Sequence, residues 1–199
     1  MGSWPLDLTG LLAIAAGLGW ASGIRLYATL FVVGLAGNLD WVSLPEGLRV
    51  LQHPWVLGAS GLMLLVEFLA DKVPWIDSLW DGVHSFIRIP AGAALAAMAF
   101  GGQGVEWQTA MGIVGGGLAA GAHFAKAGTR AAVNASPEPF SNLAVSFAED
   151  SLVLFALWLM FAHPWLLLVL LAAFLALLVW LLPKVFRLLG GLRQAQRRA

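Results

Sequence analysis

"KAGTRAAVNASPEPFSN", residues 126–142, is the stretch on which the architecture turns. It holds Lys126, Arg130 and Glu138, two prolines and two asparagines, in a chain of 199 residues that is 60% hydrophobic and only 11% charged. Soluble domains carry about 25% charged residues. That deficit of charge, with a mean hydropathy of +0.83, places the chain among membrane proteins. Residues 126–142 are then polar punctuation between two spans.

Working outward, the apolar segments give six predicted membrane helices, at 8–37, 54–74, 85–101, 108–132, 142–162 and 164–186. A span needs about 20 mainly apolar residues. The first is long enough to be tilted, or broken at "GLGWASG", residues 17–23. It has no basic region before it and exceeds the length of a signal peptide's apolar core, so it reads as a retained helix. The fold class is an all-α polytopic bundle in a single membrane domain, 1–199, with a basic tail at 187–199. Placing both termini in the cytoplasm puts Lys72, Arg88, Lys126, Arg130, Lys184, Arg187, Arg193, Arg197 and Arg198 inside and only Arg49 outside. That asymmetry follows the positive-inside rule and supports the six-span arrangement with cytoplasmic termini. "HPW" occurs at 53–55 and 163–165, where proline suits the first helical turn.

A repeat is also legible. "ASGIR" at 21–25 resembles "KAGTR" at 126–130, and "FLAD" at 68–71 resembles "FAED" at 147–150, in the same order. The halves it implies are 1–103 and 104–190. A three-helix unit has an odd number of crossings, so its second copy enters inverted. Inverted repeats with glycine-interrupted helices are a plan of secondary transporters.

The run "LVEFLADKVPWIDSLWDGVHSFIRIPAGA" followed by "KAGTRAAVNASPEPFSNLAVSFAED" resembles the bacterial multi-pass membrane proteins catalogued as domain of unknown function 4126. The resemblance implies an integral membrane protein and carries over no catalytic residue.

The candidate solute- or ion-binding residues are Arg25, Glu67, Asp71, Arg130, Asn134, Asn142, Glu149 and Asp150. A cation in mid-span, such as Arg25, costs on the order of 2.5–3.5 kcal/mol and needs an interior partner. Arg130 matters because it matches Arg25 in the repeat. Lys126 reads as snorkelling to lipid phosphate. Glu67 and Asp71 are four apart on one helical face, and Glu149 and Asp150 lie within the fifth span; such carboxylates must be paired, protonated or wet. The structural reading is mutual neutralisation. The functional reading is a titrating or cation-binding site. Asn134, Ser136 and Asn142, with the free amides that precede span five, suit a polar ligand, or else a tight turn with Ser141 as N-cap.

Asp77, Asp81, His84 and Arg88 follow helical spacing on one face, opposite Leu79, Val83 and Phe86. They read as a cytoplasmic amphipathic helix with a solvated polar face, continuing into span three; a gate, or a divalent metal held by Asp77, Asp81 and His84, is the sharper alternative.

The chain has no cysteine, which excludes disulfides and cysteine-ligated metal. It has no phosphate loop, zinc-protease motif, nucleophile elbow or dinucleotide fingerprint, so no cofactor is expected. Net charge is zero, and nucleic acid is not an expected partner. The expected partners are the lipid bilayer, a small polar solute or ion, and a second copy packed through small residues. The favoured function is a transporter or channel for a small polar or anionic solute. A membrane enzyme on a lipid headgroup and an accessory scaffold are the alternatives.

Overall fold

The computed structural model describes residues 7–70, 74–134 and 139–196. Six α-helices follow one another: α1 (Leu8–Asn38), α2 (Pro54–Ala70), α3 (Pro74–Ala99), α4 (Val105–Asn134), α5 (Pro139–Ala162) and α6 (Pro164–Gln196), with a short 3₁₀ helix (Glu46–Gln52) before α2. No strand occurs among the described residues. Asp7 caps α1 by accepting from the Gly10 amide at 2.7 Å. Four helices open on proline, which has no N–H to leave unpaired in the first turn. At the first "HPW" the His53 ring also accepts the Trp55 amide, at 3.3 Å, so this histidine serves the helix start.

The chain is a multi-pass membrane protein. Residues 8–38, 82–99, 140–162 and 164–181 are long and apolar enough to cross a bilayer, and the 3₁₀ helix and α2 together make a fifth candidate bent by 67°. α2 alone has 17 residues, short of the ~20 that a span needs. α4 is long enough, but its glycines, His123, Lys126 and Arg130 reduce its apolarity.

α1 is the axis of the bundle and touches every other helix. Its apolar window is 72% buried, against 11% for α6 at the periphery. Glycines allow that central position. A Cβ on Gly19 would stand 2.7 Å from the Gly115 Cα, and one on Gly23 would overlap the Ala119 carbonyl. The stretch 17–23 therefore stays helical and serves close packing. The break falls just beyond it, at Arg25, where φ is −140° and ψ is 82°. α4, which carries the second Gly/Arg motif, is not packed like α1: it lies mainly against α3 and α1.

Two further expectations are overturned. The amphipathic face of α3 points inward: His84 and Arg88 are buried, whereas Leu79, Val83, Phe86 and Ile87 are exposed. Inside a membrane the bundle is the polar phase, so the face that would seek water from a soluble helix seeks protein here. At the opening motif, α4 runs helically through Asn134 and α5 begins at Pro139, so Ser141 lies within the helix and is not its N-cap. The irregular backbone sits at Arg25 instead.

Candidate functional site

The break in α1 faces the N-terminal half of α5. Arg25 is 1% exposed and sends its Nε to Asp150 Oδ1 at 2.9 Å and its Nη2 to within 3.7 Å of Glu149 Oε2. The same Nη2 donates to the Ser146 hydroxyl at 3.2 Å and the Ser146 carbonyl at 3.3 Å. From α4, Arg130 grips Glu149 with two bonds, Nε to Oε1 at 2.9 Å and Nη2 to Oε2 at 2.8 Å. Its Nη1 donates to Asn142 Oδ1 at 2.7 Å. This is the planar bidentate fork at which arginine differs from lysine.

Lys126 does not snorkel to lipid. It is buried, lies 3.7 Å from Glu149 Oε2, and donates to the Ile24 carbonyl at 3.4 Å. That carbonyl sits at the break, where the helical ladder is interrupted. An ammonium therefore answers a main-chain acceptor that a continuous helix would treat differently. Glu149 is the hub, contacted by Arg25, Lys126 and Arg130 together.

Residues of the two similar stretches meet. Arg25 and Arg130 share Glu149, and Phe68 packs edge-on against Phe147, with ring centroids 6.3 Å apart.

A second set of polar contacts joins α2, α3 and α1. Glu67 of α2 and Arg88 of α3, both fully buried, are joined at 2.6 Å. His84 has Nδ1 at 2.9 Å from the Trp80 carbonyl, which can only accept, so Nδ1 carries a proton. Nε2 lies within hydrogen-bond reach of the Tyr27 hydroxyl, at 3.2 Å. Ser85 and His123 link α3 to α4 at 2.6 Å.

Thus Arg25, Arg130, Asn142, Glu149 and Asp150 come together, while Glu67 pairs with Arg88 and His84 meets Trp80 and Tyr27. Asp71 lies outside the described residues, as do the side chains of Asn134, Asp77 and Asp81. Both His84 ring nitrogens are held by protein, and no group of three metal-ligating side chains forms among the described residues.

Sequence reasoning passed over Ser146, Tyr27 and His123. Ser146 was recoverable, since 142, 146, 149 and 150 share a helical face; so was His123, on the face of 126 and 130. Tyr27, the only tyrosine, carries no comparable spacing signal.

Beside the network is a cleft of about 340 Å³ between α1, α4, α5 and α6. It exists because α4, α5 and α6 each pack on α1 but touch one another sparingly. Its walls are almost wholly apolar, yet Lys126 and Glu149 line it.

No curated protein and no solved structure matches the chain. A family model, by contrast, covers residues 12–184, nearly the whole helical bundle. The chain belongs to the family described as Domain of unknown function (DUF4126).

Proposed function

We propose that the protein moves a small polar or anionic solute, or an ion, across the membrane through the charged region around the Arg25 break. One observation carries this reading: non-helical backbone at Arg25, within a bilayer-spanning helix, set among Lys126, Arg130, Glu149 and Asp150. At membrane depth, irregular backbone survives where protein buries it or where it lines a wet cavity, and transporter sites are built on such discontinuous helices. The contact between the two motif copies supports a site at the junction of inverted halves. The lysine and arginine distribution favours cytoplasmic termini.

The enzyme alternative draws less support, because His84 is committed to Trp80 and Tyr27. The test uses the absence of native cysteine. Gly23 is unsuitable for a probe because Ala119 stands against it. Thr29→Cys and Ser146→Cys are close in size to the native residues and flank Arg25. An impermeant thiol reagent should label both from either face of reconstituted vesicles, in a pH- or solute-dependent way. Labelling from neither face means a dry, paired interior and removes the transport site.

A further inference from the structure

The cleft beside the network has a composition that neither the ion pairs nor bundle packing explains. We propose that it is a binding site for an anionic amphiphile, a molecule with a carboxylate or phosphate head and an apolar chain. This deepens, and rests on, the transport reading above, since it names the class of solute. The volume of about 340 Å³ falls at the lower end of ligand pockets, which run from about 300 to 1,000 Å³.

The first observation is a donor without an acceptor. Trp20 lines the cleft, is 7% exposed, and its indole Nε1 is buried with no hydrogen-bond partner among the described residues. A buried N–H left unsatisfied costs about 1–3 kcal/mol, so such groups mark something the bare protein does not supply. Indole can only donate, so the missing partner must be an acceptor.

The second observation is the cation in the same cleft. Lys126 brings an ammonium to a lining that is otherwise apolar apart from Thr129 and Glu149. Two of its contacts are the Ile24 carbonyl at 3.4 Å and Glu149 Oε2 at 3.7 Å. An acidic headgroup in this cleft would supply the acceptor that the indole lacks, beside a cation. Glu149 is held by Arg130 and need not move.

The third observation concerns the chain. Leu152 and Phe174 supply apolar wall, and Phe174 packs edge-on against Trp20 with centroids 6.0 Å apart. Leu152 is 49% exposed on the outer surface of the bundle. The cleft therefore opens sideways, towards lipid, rather than along the bundle axis. A fully polar solute gains nothing from such walls; an acyl chain does, at roughly 25 cal/mol per Å² buried.

The test is photolabelling of the full chain in phosphatidylcholine nanodiscs with a diazirine-bearing decanoic acid. Adducts are located by peptide mass spectrometry. We expect saturable labelling at Leu152 and Phe174, competed by decanoate but not by decanol or acetate. Lys126→Met should weaken labelling about tenfold or more, as loss of a charge-assisted bond implies. Trp20→Phe, which keeps the ring and removes the donor, should weaken it about two- to tenfold. Ala148→Phe, at a lining position on the surface of the bundle, should block it without touching the ion pairs.

Competition by phosphatidylglycerol as well as decanoate identifies a membrane phospholipid as the source of the head; competition by decanoate alone identifies a free amphiphile. Uniform, non-saturable labelling along the lipid face of α6, unchanged by Ala148→Phe, overturns the proposal. The transport reading fails separately. Saturable labelling with no solute flux in proteoliposomes leaves a lipid site in a non-transporting protein. Flux of a small solute without decanoate competition leaves a transporter and removes the amphiphile.

Discussion

Glu149→Gln is the perturbation with the clearest expected magnitude. The substitution keeps volume and one acceptor oxygen, but converts the other oxygen into an NH₂ donor among Arg25, Lys126 and Arg130. Those cations lie at 3.7, 3.7 and 2.8 Å from Oε2. Breaking a buried ion pair from one side costs about 3–5 kcal/mol, because the remaining charge stays desolvated. Glu149 is about nine-tenths buried, with a side chain 11% exposed, so solvent screening reduces that only slightly. For a chain of this size 1 kcal/mol corresponds to about 2–4 °C in Tm, so the midpoint should fall by about 6–20 °C. Thermal unfolding of the purified protein in detergent measures it. The double variant Glu149→Gln/Arg130→Gln should recover part of the loss, since it removes a cation along with the anion. A fall under about 3 °C, with no coupling between the two sites, would show that water already screens the network. The buried-pair reasoning would then be refuted, and the break would be a hydrated cavity.

Three other outcomes are expected. Arg88→Met should cost about 3–5 kcal/mol by leaving Glu67 charged at full burial, whereas Glu67→Gln/Arg88→Met should cost markedly less; unfolding midpoints of both variants check this. Gly115→Leu should destabilise by at least the about 1–3 kcal/mol of ordinary overpacking, since even a Cβ there meets Ala96 and lies 2.8 Å from the Gly92 carbonyl; loss of monodisperse protein on size exclusion is the readout. Tyr27→Phe should cost only about 0.5–1.5 kcal/mol, and the His84 ring resonances should shift by NMR as Nε2 loses its hydroxyl partner.

The helices were legible because membrane hydropathy is a one-dimensional signal, and the prolines at 54 and 164 mark two starts; the openings at Pro74 and Pro139 were not, because the polar residues that follow each proline hide the helix from a hydropathy count. Part of the Arg25 network was legible as well: a mid-span arginine must find carboxylates, and Glu149 and Asp150 were among the candidates, but Lys126 and Ser146 were not. The orientation of polar faces was not. Asp77, Asp81, His84 and Arg88 have the spacing of a solvated stripe in any sequence, and only the packing of α3 against α1 and α4 turns His84 and Arg88 inward. Lys126 was misread for a related reason. Snorkelling depends on depth, and depth depends on where α4 ends; the helix runs on to Asn134, which leaves Lys126 more than a turn from the surface.

The position of the break follows from the same competition. Glycines at 17, 19 and 23 lower the cost of bending α1, yet the backbone departs from helix at Arg25, whose side chain is tied to Ser146 and Asp150 of α5. Flexibility without a load leaves the helix intact, because close packing against Gly115 and Ala119 rewards regular geometry there. A load without a continuing obstacle breaks it, since Arg25 must reach Ser146 and Asp150 on α5. The distortion should therefore depend on the guanidinium and not on the glycines. Arg25→Leu should restore helical φ and ψ at residue 25 and withdraw the Ile24 carbonyl from Lys126. Backbone amide exchange at residues 25–29 reads this directly: slower exchange in the variant supports a break held open by ion pairs, and unchanged exchange refutes it.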